Sequence, residues 1–268
     1  MDQLIDIKEQ ERETVQIENI TSISGMLDDK HPTIKQKFLA ECIGTLLLIF
    51  ICCGVGVYND FDMVPTVLGG SLIVTGLVYS FQKVSGAHFN PVVSVPMFII
   101  KKITIKELLY YICAQFIGSI LGSLLLALCR RGKFDILSSN KIGDYLINLA
   151  ENKEIDTWCY ISAFLCEVFC TFILLMVVLA STVQKNNFGN LTGLVVGVSL
   201  SFIIFTGFNI SGASMNPVRS FAPAFLEAVI DVNTTAIKQI WIYIFGPIMG
   251  SALATLMYFQ IYNLKVNI

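Results

Sequence analysis

Ser85-Gly86-Ala87-His88-Phe89-Asn90-Pro91-Val92 and Ser211-Gly212-Ala213-Ser214-Met215-Asn216-Pro217-Val218 are two copies of one octapeptide, identical at six of eight positions. The offset is 126 residues (216 − 90). The repeat extends upstream. Glu41 precedes Asn90 by 49 residues (90 − 41), and Glu167 precedes Asn216 by the same 49 (216 − 167). Further on, Gly118-Ser119 and Gly250-Ser251 hold similar places in the two halves. The chain is therefore an internal duplication.

The surroundings of the two copies set the solvent in which they work. Of 268 residues, 54% are hydrophobic and 14% charged, and the mean hydropathy is +0.70. Soluble domains carry about 25% charged residues. The apolar residues fall into six long blocks: Phe38–Val57, Val64–Val84, Leu108–Leu128, Trp158–Val183, Leu191–Ile210 and Ile240–Leu264. A block of roughly 20 apolar residues spans a bilayer as a helix, and open-edged sheets cannot sit in hydrocarbon. Two further blocks, Pro91–Ile100 and Pro217–Ile230, are too short to span. Each opens at Asn-Pro, and Pro suits the first helical turn, where its missing N–H costs nothing. They read as re-entrant half-helices.

The expected fold class is an all-α membrane protein with six transmembrane helices and two re-entrant half-helices in an inverted 3+3 repeat. An odd number of spans per repeat forces the second copy to insert upside down, so the half-helices enter from opposite faces and meet near the midplane. The expected organisation is a polar cytosolic tail over residues 1–37 and a channel-forming domain over 38–264. Repeat one covers about 38–128 and repeat two about 158–264, linked by an extracellular loop, 129–157. The tail has no apolar core of a signal peptide. Its Lys8, Arg12, Lys30, Lys35 and Lys37, against a first loop (58–63) without basic residues, place the N-terminus in the cytosol. Six spans bring the C-terminus back to the same side. The five basic residues of the loop Arg130–Thr157 run against that orientation. Asn233-Thr-Thr then faces outside as a candidate glycosylation site.

A half-helix aims its N-terminal end, worth about half a positive charge, at the bilayer centre. Two such ends facing each other repel cations and protons. Asn90 and Asn216 are expected to cap these helices and to donate amide N–H groups to a water at the centre. Pro91, Val92, Pro217 and Val218 complete the motifs, and His88 is expected to line the pore. Glu41 and Glu167 are ionisable groups in apolar spans, costly unless satisfied. One reading makes them a proton relay, as in a coupled transporter. The symmetric spacing favours the other, in which each carboxylate accepts hydrogen bonds from the irregular loop before its Asn-Pro. Arg219, in the first turn of the second half-helix, suits an outer constriction as a fixed cation.

Gly118/Gly122, Gly193/Gly197 and Gly246/Gly250 are GxxxG pairs that let backbones approach in lipid. The eight cysteines lie in or beside apolar stretches without CxxC or Cys/His spacing, and read as buried free thiols. No metal site, cofactor, nucleic-acid patch or nucleophile–base pair stands out, which argues against an enzyme.

The two Asn-Pro motifs, Ala40-Glu-Cys-Ile-Gly-Thr45, and Asn216-Pro-Val-Arg-Ser-Phe-Ala-Pro-Ala224 resemble the aquaporin (major intrinsic protein) family over about residues 38–262. The resemblance implies the hourglass fold, a homotetramer with one pore per subunit, and water and small neutral solutes as permeants. It implies a plasma membrane or vesicle or vacuole membrane as the location. Both motifs read Asn-Pro-Val where the family has Asn-Pro-Ala, so Val92 and Val218 are expected to narrow or reshape the midplane. The family's outer filter maps onto Gly70, Ile204, Ala213 and Arg219. With no aromatic residue and no His, that filter reads wide, open to glycerol, urea, ammonia or hydrogen peroxide. Ser220, Ala224 and Tyr243 point instead to a water channel. A weakly conducting structural protein of the same fold, and gating by the tail or by Thr182–Asn190, remain as alternatives.

Overall fold

The computed structural model describes residues 31–183 and 191–262. The chain divides after Thr33, and the larger of its two units begins at Ile34. The helices of that unit are α1 (Ile34–Tyr58), α2 (Met63–Phe81), α3 (Pro91–Ile99), α4 (Ile105–Cys129), α5 (Asp144–Leu149), α6 (Thr157–Val183), α7 (Thr192–Ser211), α8 (Pro217–Ile230) and α9 (Thr235–Ile261). Among the described residues, α1, α2, α4, α6, α7 and α9 are long and apolar enough to cross a membrane. Helices α3 and α8 are the two half-length elements, and no strand is present among the described residues.

Two helix starts differ most from the hydropathy reading. Helix α1 begins at Ile34, inside the stretch read as tail, and α9 begins at Thr235 rather than 240. Lys35, Lys37, Lys238 and Gln239 lie in these extra turns. A helix continues past the hydrocarbon edge, where its polar side chains meet water or, as for Gln239, a loop amide (Ile142, 2.9 Å), so an apolar count alone stops short. The linker 129–157 is not plain loop, since it folds back as α5 against α7 and α6. Of the tail 1–37 and the segment 182–190, each read above as an alternative gate, residues 1–30 and 184–190 lie outside the described residues.

Two-fold order governs the packing. Helix α1 lies along α4 and touches α2; α6 lies along α9 and touches α7. Helix α3 rests on α4 and α9, and α8 rests on α9 and α4. The contacts α2–α7 and α3–α8 join the halves. Exchanging α1–α4 with α6–α9 leaves this pattern unchanged. Two serines tie each half-helix to the other repeat: Ser119 Oγ donates to the Val218 carbonyl at 2.5 Å, and Ser251 Oγ to the Val92 carbonyl at 2.7 Å.

Side chains sort by solvent. Leu175, Leu179, Leu200 and Tyr258 pack with Val93 and Met97 of α3 in one apolar cluster, whereas Leu72, Phe169, Phe202 and Phe245 point outward, as residues bathed in lipid must. The tightest helix crossings use glycine. A Cβ on Gly118 would land on the Cys42 carbonyl, and one on Gly250 on the Val168 carbonyl. These backbones approach closely because nothing stands between them.

Gly250→Ala is therefore expected to destabilise the protein by about 1–3 kcal/mol, the usual cost of overpacking. Gly76→Ala, where an added Cβ meets nothing within 4 Å, serves as the neutral control. Thermal midpoints of the two detergent-solubilised variants check this, and equal midpoints would contradict it.

Candidate functional site

Each Asn-Pro starts a helix by the same means. Asn90 and Asn216 have extended backbones and stand at the N-cap of α3 and α8, with Pro91 and Pro217 in the first helical position. Asn90 Oδ1 accepts from the Val92 amide at 3.1 Å; Asn216 Oδ1 accepts from Val218 at 3.2 Å and Arg219 at 3.4 Å. The amide nitrogens reach across to the opposite repeat. Asn90 Nδ2 donates to the Met215 carbonyl at 2.8 Å, and Asn216 Nδ2 to the Phe89 carbonyl at 3.0 Å. This exchange pins the two half-helix ends together, and each NH2 keeps a second N–H. Val92 and Val218 are only 3% and 2% exposed. Val92 joins the apolar cluster that includes Leu175 and Leu200.

The loops ahead of these caps are strained. Gly86, Ala87 and Phe89 have φ of +91°, +56° and +51°, and Gly212, Ala213 and Met215 have +80°, +44° and +54°. Left-handed backbone at a residue with a Cβ costs about 1–3 kcal/mol and persists only when its surroundings over-determine it. Glu41 and Glu167, both 0% exposed, supply that constraint. Glu41 accepts from Ser85 Oγ (2.6 Å), the His88 and Phe89 amides (3.0 and 2.7 Å) and Gln115 Nε2 (2.9 Å). Glu167 accepts from Ser211 Oγ (2.7 Å) and the Ser214 and Met215 amides (2.9 and 2.8 Å). Tyr111 and Tyr243 complete the two cradles by donating to the Ser85 and Ser211 carbonyls, at 2.6 and 3.0 Å.

His88 is half-buried, with Nδ1 3.1 Å from Ser94 Oγ and its ring edge-on to Tyr111. Ser214 takes the same place in the second repeat and meets Ser220 Oγ at 2.5 Å. At the other end of α8's first turn, Arg219 Nη1 donates to the Ser138 carbonyl at 2.7 Å and to Asn140 Oδ1 at 2.5 Å. Gly70 and Ile204 face one another: a Cβ on Gly70 would lie 3.8 Å from Ile204 Cδ1 and 3.4 Å from Cys52 Sγ. Ala213 is buried beside Gly207. Asn233 stands apart from all of these, ahead of α9, where its Oδ1 accepts from the Thr235 amide.

Sequence reasoning missed Gln115, Ser138, Asn140 and Glu227. Gln115 bridges Glu41 and Ser94 (2.9 and 3.0 Å), and Glu227 is a buried acid in α8. Glu227 was detectable as a lone charge in the apolar run Phe221–Ile230. Ser138 and Asn140 carry no local signal, because their partner lies about 80 residues away in sequence.

Residues 29–258 match the Major intrinsic protein family. The chain is 32% identical to "Glycerol uptake facilitator protein-like 6" of Lactiplantibacillus plantarum, covering 82% of this chain and 94% of that one. It is 34% identical to "Aquaporin NIP3-1" of Arabidopsis thaliana, covering 94% and 77% respectively. The X-ray structure of the aquaglyceroporin from Plasmodium falciparum superposes with a TM-score of 0.70 at 23% identity, covering 86% of this chain and 97% of that one.

Glu167→Ala leaves the Ser211 hydroxyl and the Ser214 and Met215 amides without their acceptor. Each orphaned buried donor costs about 1–3 kcal/mol, a large part of a typical stability of ~5–15 kcal/mol. The variant is expected to lose most monodisperse protein on extraction, with Glu167→Gln, which keeps one acceptor oxygen, in between. Wild-type behaviour of both in size-exclusion chromatography would exclude the cradle role.

Proposed function

The chain belongs to the major intrinsic protein family, and from that premise we propose that it is a passive membrane channel for water that also passes small neutral solutes of glycerol's size while excluding protons and ions. The observation that carries the wider selectivity is that Gly70 presents no side chain toward Ile204, whose Cδ1 lies 3.8 Å from where a Cβ on Gly70 would stand. In this reading Gly70, Ile204, Ala213 and Arg219 form the outer filter. A glycine and an aliphatic side chain leave room for a carbon backbone and offer it apolar contact, while the Arg219 guanidinium donates to hydroxyl groups and repels cations. The relatives support both halves of the statement, since one is named for glycerol uptake and another as an aquaporin.

Proton exclusion is assigned to Asn90 and Asn216. With one N–H of each amide committed to the facing loop, the other donates to a water between them. A water that accepts from both cannot also pass a proton along a chain. The two positive half-helix ends add an electrostatic barrier to cations at the same depth. His88 lines the inner approach. Glu41 and Glu167 act as loop cradles: every neighbour within hydrogen-bond reach is a donor, and neither carboxylate reaches solvent. A proton relay would need such a path.

Stopped-flow light scattering on liposomes holding the purified protein tests the reading. Fast water flux with a low activation energy, together with glycerol flux above empty liposomes, is the expected result. In the double variant Gly70→Phe/Ile204→His, glycerol permeability is expected to fall roughly tenfold, equivalent to about 1.4 kcal/mol of added barrier, with water flux largely kept. Glycerol flux unchanged by the double variant would show that the filter lies elsewhere.

A further inference from the structure

Arg219 is held by the segment 137–140, and that segment is held in turn by an acid of α8 itself. Glu227 is 2% exposed. Its Oε1 accepts from the Leu137 amide at 2.7 Å and its Oε2 from Ser139 Oγ at 2.6 Å. The residue between these two donors is Ser138, whose carbonyl accepts from Arg219 Nη1 at 2.7 Å and whose Oγ lies 3.4 Å from Nη2. Next along, Asn140 Oδ1 accepts from both Arg219 Nη1 and Ser220 Oγ, at 2.5 and 3.0 Å. One carboxylate thus grips the loop on either side of the carbonyl that grips the arginine.

Three features make this grip necessary. Ser138 has φ of +61°, a left-handed conformation that a residue with a Cβ keeps only when its neighbours are restrained. Connecting segments are the more mobile parts of a bundle; the other ties here lie to either side of 138–140, namely the Arg130 guanidinium on Asp135 Oδ1 and the Ile136 carbonyl (3.0 and 2.6 Å), the Leu137 side chain in an apolar cluster with Ile49, Cys53 and Leu226, and the Ile142 and Gly143 amides on Gln239 Oε1 and the Ile210 carbonyl (both 2.9 Å). Lastly, Glu227 lies eight residues after Arg219 on the same helix, about 12 Å along the axis at ~1.5 Å per residue. It acts on the arginine only through the loop.

We infer that Glu227 is a positioning residue for selectivity: through Leu137 and Ser139 it fixes Ser138 and Asn140, which hold the Arg219 guanidinium at one depth and orientation in the outer constriction. Its duplicate position in the first repeat, 126 residues earlier, is Lys101 at the end of α3. The latch therefore belongs to the outer mouth alone, where the filter is. The inference rests on the reading of Arg219 as the filter cation.

Full-length wild type, Glu227→Ala, Glu227→Gln, Ser139→Ala and Arg219→Ala are compared in liposomes, scoring the ratio of glycerol to water permeability. Arg219→Ala is expected to change the ratio. Glu227→Ala is expected to change it in the same direction, by about two- to tenfold, the range that one or two lost hydrogen bonds support. Ser139→Ala should move it less, and Glu227→Gln should recover part of the wild-type value. A purely structural role would lower both fluxes together at constant ratio, and that result overturns the inference. If Glu227→Ala does not fold, Ser139→Ala, which removes a single hydroxyl, decides it. A shift with Arg219→Ala but none with the other three overturns the latch alone; no shift with Arg219→Ala overturns the filter reading and the latch with it.

Discussion

Inside hydrocarbon there is no water to satisfy a backbone N–H or C=O, so every irregular segment must find its hydrogen bonds within the protein. The two half-helices meet that constraint at its most severe point, because the loops that deliver them lie at membrane depth. Glu41 and Glu167 answer it. Each takes the amides at positions 88 and 89, or 214 and 215, together with the serine that opens the motif. A carboxylate is used rather than an amide because it offers acceptors only, on both oxygens. With those donors bound, three left-handed residues per loop become tolerable, and the chain turns sharply enough to start a helix at Asn-Pro.

The rest of the centre follows from that turn. The loops bring the Phe89 and Met215 carbonyls within reach of the opposite asparagines, and the resulting pair of crossed amide bonds joins two repeats that meet elsewhere mainly through apolar side chains. Ser119 and Ser251 repeat the device one layer further out. These polar ties are costly to leave unmade and specific in geometry. The apolar contacts around them are neither, so register between the halves comes from the polar set.

Departures from two-fold order mark where the ends of the molecule differ. Gln115 links Glu41 to Ser94, whereas Pro247 stands at the corresponding place in α9 and links nothing. An imidazole, His88, meets Ser94 Oγ in one repeat, and a hydroxyl, Ser214, meets Ser220 Oγ in the other. Helix α3 has 9 residues and α8 has 14. The added turn in α8 carries Glu227 to the linker 129–157, which has no counterpart in the tandem order of the repeats. An inverted duplication makes the framework; the unduplicated linker makes one end of the molecule distinct from the other.

Much of this was legible in one dimension. The duplicated octapeptide, the equal 49-residue spacing and six apolar blocks are local patterns. They determine the helices, the half-helices and the inverted pairing, because burial in lipid leaves few other solutions for such a pattern. Helix ends at Ile34 and Thr235 escaped the reading, since helices outlast the hydrocarbon and polar residues hide them. Only the tertiary structure decided that Gln115 joins a cradle and that Ser138 and Asn140 hold Arg219. Those contacts join residues 21 to 81 positions apart, and no periodicity or motif carries such a distance. A hydrogen-bond partner across that span is fixed by where the folded helices set the two groups, not by the residue types alone.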